Sequence, residues 1–130
     1  MIPAVFINGK KSPFIDRILL FQKLYETRTR NTLGRLLGER VILAETGKGK
    51  PLARATAVIK ELHRVYTRSA WETVFPALGI DRGSEYDWQP WTKQKVLYYL
   101  DDVRPIEKPF VLPEGRRHGR VWMEYDGNDI

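Results

Sequence analysis

Lys23, Glu26, Arg28 and Arg30 are the residues of this 130-residue chain whose types and spacing could do chemistry. Read at period two from Leu24 to Arg30, Glu26, Arg28 and Arg30 share one face of a strand, with Lys23 where the chain enters it. Tyr25, Thr27 and Thr29 take the opposite face, which is only half apolar. A strand built this way reads as the wall of a cleft, where a lone carboxylate between cations bridges them or accepts a proton. The same alternation fits a solvated strand with cross-strand ion pairs, each worth well under about 1 kcal/mol when exposed.

Two further stretches carry recognition chemistry. Arg116, Arg117 and His118, followed by Arg120, form a basic run that would hold phosphates beside a last strand or simply face solvent. The loop from Tyr86 to Trp91 offers flat rings, on which single-stranded bases stack with about 1–3 kcal/mol each. Of its two tryptophans, one is expected to pack inward and the other to be half exposed, the outer one being Trp88, flanked by Asp87 and Gln89. His63 and His118 are the only histidines and cysteine is absent, so neither a metal site nor a thiol nucleophile is expected. Thr46 to Pro51 lacks the spacing of a phosphate loop and reads as a hairpin turn, and no GxSxG or GxGxxG pattern occurs. No cofactor is implied.

The elements that must position these residues follow from periodicity and punctuation. Ala4 to Ile7 is expected to form a strand closed by Asn8-Gly9, after which Ser12 caps a helix with Pro13 at its first position. Phe14, Ile15, Ile18 and Leu19 give that helix its apolar face, and it should end near Lys23. After the strand from Leu24 and a loop over 34–39, Arg40 to Glu45 and Arg54 to Tyr66 read as strands, the second bulged where alternation breaks between Ile59 and Leu62. Ser69 to Glu72 is a capping box opening a second helix that Pro76 keeps short or kinked. Lys95 to Arg104 and Arg120 to Tyr125 are strands joined by a proline-rich connection. About six strands and two or more short helices in one domain, 1–130, point to an α+β fold: a curled, mostly antiparallel β-barrel with helices on its flanks.

Charge is distributed unevenly. The first 65 positions hold 13 basic and 5 acidic residues, a net of +8, and the rest hold 9 and 11, a net of −2. Concentrated positive charge fits an anionic partner such as nucleic acid, although +6 overall also suits an ordinary soluble surface. Apolar runs of four residues, such as 18–21 and 41–44, are far below the roughly 20 needed to span a bilayer, so no membrane partner is expected. With no cysteine and no export signal, a reducing cytoplasm is the simplest location.

The run Lys23-Leu-Tyr-Glu26-Thr-Arg28 resembles the Lys-x-x-Glu-x-Arg core of ASCH domains in the PUA-like superfamily. The preceding helix, the strand 36–43 and the late strands with Tyr98, Tyr99 and Val103-Arg-Pro are similar in order to that family's barrel. One departure stands out. The family motif carries glycine two residues before the lysine, where this chain has Phe21, which bears on how tightly helix turns into strand and where Lys23 falls. The resemblance implies a PUA-like barrel whose cleft, lined by Lys23, Glu26 and Arg28, binds RNA, a nucleotide or a nucleoside. Together with the basic run and the aromatic loop, single-stranded RNA would then be held at its phosphates by Lys23, Arg28, Arg30, Arg116, Arg117 and Arg120, with a base stacked on Trp88. The alternative that the resemblance implies is a hydrolase acting on RNA or on an acylated cytidine. Lys23, Glu26 and Arg28 would then be catalytic, Glu26 as general base, with His118 a candidate acid for RNA cleavage.

Overall fold

The strands of the protein are β1 (Ile2–Asn8), β2 (Tyr25–Arg28), β3 (Arg40–Thr46), β4 (Leu52–Val65), β5 (Lys95–Val111), β6 (Arg117–His118) and β7 (Trp122–Tyr125), and the helices are α1 (Phe14–Leu19) and α2 (Arg68–Val74). They come from a computed structural model that describes residues 1–127. Residues 128–130, the end of the domain expected over 1–130, lie outside the described residues.

The apolar runs of β1 and β3 make the centre. The two strands pair in parallel, Ala4 opposite Ile42 and Val5 opposite Leu43. Val5, Ile7, Val41 and Leu43 join a large core with Ile15, Ile18 and Trp71. Their alternates Ala4, Phe6, Ile42 and Ala44 join a second cluster with Met123 and Tyr125. A strand covered on both faces needs no polar alternation, which is why these runs are continuously apolar.

The seven strands form one sheet in the order β2-β5-β4-β3-β1-β7-β6, antiparallel except for the β1–β3 pair. This corrects the expected closed barrel of about six strands. Among the described residues no ladder joins the edges β2 and β6, and β1 pairs with β3 on one side and, over Ile2–Val5, with β7 on the other. A side chain spans the gap instead: Arg28 Nη2 donates to the carbonyl of Phe6, 2.8 Å away. The sheet therefore curls towards itself and stays open along this seam.

β4 shifts register between Ile59 and Glu61, where the alternation breaks. β5 is longer than expected and runs through Pro105 and Pro109. Its outer edge is paired by β2 only over 96–99, so the prolines fall where no second ladder needs their missing N–H groups.

The helix termini also differ from the sequence reading. Helix α1 stops at Leu19 rather than near Lys23. Ser12 does not cap it, because its hydroxyl donates to Asp81 at 3.0 Å. The cap of α2 is Thr67, two residues before Ser69, with its hydroxyl accepting from Ala70 N at 3.1 Å. Pro76 then turns the chain into a single 3-10 turn, Phe75–Ala77. Among the described residues, no helix is long and apolar enough to cross a membrane.

Candidate nucleic-acid interface

The turn between α1 and β2 places the lysine. After Leu19 the chain reverses within three residues, with the amides of Gln22 and Lys23 both donating to the carbonyl of Arg17. Phe21 makes this possible by adopting a left-handed conformation, φ +58°. A non-glycine residue pays roughly 1–2 kcal/mol for that geometry. Phe21 therefore takes up, without being glycine, a conformation that glycine adopts most readily.

The reversal tucks Lys23 inside, only 2% exposed. Its Nζ donates to the carbonyl of Leu78 at 2.8 Å, lies 4.8 Å from the centre of the Phe14 ring, and sits 4.0 Å from Glu26 Oε1. Burial lowers its pKa from 10.5 to about 8; Glu26 opposes the shift, while Arg28 and Arg17 add to it. The amine is mostly charged at neutral pH yet gives up a proton far more readily than a surface lysine.

Glu26 is held on β2 opposite Tyr98 of β5 and is itself buried. Its Oε1 accepts from the amide of Thr27 at 3.1 Å, and its Oε2 accepts from Arg28 Nη2 at 2.9 Å. The expected grouping of Lys23, Glu26 and Arg28 is thus real and lies along the open seam of the sheet. A cleft of about 510 Å³ opens there, lined by these three residues, by Phe6 and Asn8 of β1, by Phe14 and Tyr86, and by Arg117 and Arg120. The Arg117 guanidinium lies 5.0 Å from the centre of the Phe6 ring. Burial chiefly, and then Glu85, raises the pKa of Tyr86, so its hydroxyl stays protonated.

Other expected residues lie elsewhere. Arg30 follows β2 onto the surface and does not line the cleft. Arg116 is likewise outside, 3.5 Å from Glu124. His118 stacks on Trp122 with ring centres 3.8 Å apart, and its Nε2 meets Glu124 at 2.8 Å, which removes it from the cleft as an acid. The expectation that Trp88 is the outer of the two tryptophans is corrected, since it is partly buried against the core. Asp87 accepts from Trp71 Nε1 at 2.8 Å and from the amide of Trp88 at 2.7 Å, drawing the Trp88 ring to 6.1 Å from that of Trp71. Trp91 is the exposed tryptophan, at 76%.

Sequence reading missed the strap that holds Lys23. The carbonyls of Leu78 and Gly79 accept from Lys23 Nζ and Arg17 Nη1, and Arg17 also pairs with Asp81 at 3.1 Å. Asp81 is held below the usual carboxylate range by the Ser12 hydroxyl first and by Arg17 next. Only the glycine at 79 signals this in the sequence, where it looks like an ordinary helix stop.

An α+β domain with a curled, open sheet and a charged cleft at its seam is the class these observations define. No family profile matches the chain, and no curated protein matches it in sequence. Among solved structures it is similar to ASCH from Zymomonas mobilis, with a TM-score of 0.68 at 19% identity over 85% of this chain and 73% of that one. A Tyr-to-Phe mutant of that protein gives the same score and identity over 85% and 75%, and a Ser-to-Ala mutant gives 0.67 at 18% over 84% and 72%. The chain has the ASCH-domain fold, in agreement with the resemblance carried by Lys23, Glu26 and Arg28.

Proposed function

We propose that the seam cleft binds single-stranded RNA or a nucleotide through its cations. The observation that carries this reading is a charge imbalance: Lys23, Arg28, Arg117 and Arg120 line the cleft against the single carboxylate of Glu26. Glu26 is engaged with Arg28, and neither Arg117 nor Arg120 has a carboxylate within ion-pair distance among the described residues. A phosphate entering the cleft therefore meets Arg117 and Arg120, which no acid among the described residues neutralises. Phe6, Phe14 and Tyr86 supply apolar walls for a base or sugar.

The test is a salt titration of binding to a short labelled single-stranded RNA, with wild type beside an Arg117→Ala/Arg120→Ala variant. Affinity should fall with salt, with a shallower slope in the variant. Affinity flat across salt would overturn the phosphate account.

One observation favours the hydrolase as a second reading: a buried amine with a pKa of about 8 stands 4.0 Å from a buried carboxylate. For an acylated nucleoside, Glu26 would take a proton from water as the water oxygen adds to the acyl carbon. The carbon–nitrogen bond would then break, and the Lys23 ammonium would return a proton to the departing amine. For RNA, Glu26 would take the 2′-hydroxyl proton while Lys23 protonates the leaving 5′-oxygen. Glu26→Gln separates the two readings. It should abolish turnover of either substrate, yet tighten simple anion binding by removing the one carboxylate that lines the cleft among the described residues. Full turnover in that variant would sink the hydrolase.

A further inference from the structure

The cleft does not end at its arginines. Asn8, Thr46 and Gly47 line its rim, and they belong to two turns that lie side by side: residues 8–11 after β1, and 46–51 between β3 and β4. The parallel pairing of β1 with β3 brings both turns to the same end of the sheet, and the amide of Gly9 donates to the carbonyl of Thr46 at 2.9 Å. The two turns are in contact. A Cβ on Gly47 would lie 2.8 Å from Asn8 Oδ1 and 3.0 Å from the Cβ of Lys10, and Gly47 and Gly49 both have positive φ.

This doubled turn carries Lys10, Lys11, Lys48 and Lys50, all exposed. The nearby acids are already engaged: Glu85 with Lys11 at 3.1 Å, Asp16 with Arg54 at 2.6 Å, and Glu45 with Arg54 at 3.4 Å and Lys48 at 4.0 Å. Among the described residues Lys10 and Lys50 have no carboxylate partner, and Lys48 shares its distant one with an arginine. With Arg117 and Arg120 already on the cleft lining, the unneutralised charge continues from the cleft onto its rim.

We propose that Lys10, Lys48 and Lys50 form a phosphate track that leads a single strand of RNA out of the cleft. The ligand is then an oligonucleotide several residues long, rather than a free nucleoside or mononucleotide. Isolated lysines on mobile stems suit this task, since backbone phosphates need charge at intervals and no fixed geometry. The inference rests on the reading of the cleft as a nucleic-acid site and specifies the size of its ligand.

The experiment measures binding of fluorescein-labelled oligouridylates of two, four, eight and twelve nucleotides. It compares wild type, a Lys10→Ala/Lys48→Ala/Lys50→Ala variant and a Lys60→Ala/Arg64→Ala/Lys93→Ala variant that loses equal charge outside the cleft lining. For wild type, affinity should rise with length beyond the dinucleotide. The turn variant should bind the dinucleotide as wild type does but lose about tenfold on the eight-mer, with a salt slope shallower by about 0.7 for each phosphate contact removed. The second variant should bind the eight-mer nearly as wild type does. Equal losses in both variants, or an eight-mer that binds the turn variant like wild type, would overturn the track while leaving the cleft reading intact. Failure of wild type to bind any length would overturn both.

Discussion

Gly79 and Lys23 are packed so closely that a Cβ on Gly79 would lie 2.5 Å from the Cβ of Lys23 and 3.0 Å from its Cα. Gly79 also has φ +59°, so two independent constraints meet at one residue. The strap backbone can reach the lysine only because nothing projects from it there.

Gly79→Ala should therefore destabilise the protein by at least about 1 kcal/mol through the left-handed backbone, with the contact on Lys23 adding to that. Urea unfolding measures the loss. RNA affinity measured well below the unfolding transition should fall as well, because Lys23 is displaced. A variant as stable as wild type would show that the strap moves aside freely.

Phe21→Gly is expected to act in the opposite direction. Phe21 is 69% exposed, so little burial is lost, and glycine accepts φ +58° without a steric penalty. Set against the greater freedom of glycine in the unfolded chain, the net gain should be roughly 0.5–1 kcal/mol in urea unfolding. A loss of stability would mean that the Phe21 ring contributes more than its exposure indicates.

The fold was legible where one physical signal dominated. The apolar runs of β1 and β3, the helical spacing of Phe14, Ile15 and Ile18, and the broken alternation after Ile59 each reported a local cause, and each element formed. The Lys23, Glu26 and Arg28 grouping was legible for the same reason, since strand period alone places Glu26 and Arg28 on one face. What could not be read was set by partners distant in sequence. Ser12 looks like a cap until Asp81 arrives to take its hydroxyl, and Trp88 looks exposed until Asp87 draws it onto Trp71. The open seam follows from the order of the strands, which leaves β2 and β6 as edges, and no local pattern records that order.

The two tryptophans of the loop give a direct check on that correction. Trp88→Ala should cost about 1–3 kcal/mol in urea unfolding, because its ring packs on Trp71 in the main core. Trp91→Ala should stay within about 0.5 kcal/mol of wild type. The reverse ranking would return Trp88 to the surface.

Lys23 sets a pH dependence of definite sign. Its folded pKa, about 8, lies below the ordinary 10.5, so between those values the unfolded chain binds more protons than the folded one. This group alone then makes stability rise as pH increases through that window, as the penalty for burying its charge is relieved. Binding runs the other way. Affinity for a phosphate-bearing ligand should weaken by roughly tenfold from pH 7 to 9 as one charged donor is lost. Lys23→Met should bind more weakly at pH 7 and show a flatter profile, and an unchanged slope in that variant would assign the titration to another group.

The long β5 has a consequence for how the protein keeps to itself. Beyond Leu100 its outer edge lies outside the β2 ladder, a stretch of backbone to which a strand from another molecule could add. That stretch carries Arg104, Pro105, Glu107, Lys108 and Pro109, charged residues and prolines of the kind that stop one sheet from extending into the next. The prolines that look like a break in the strand thus act as a guard on it, and the chain keeps a seventeen-residue strand without offering a template for aggregation.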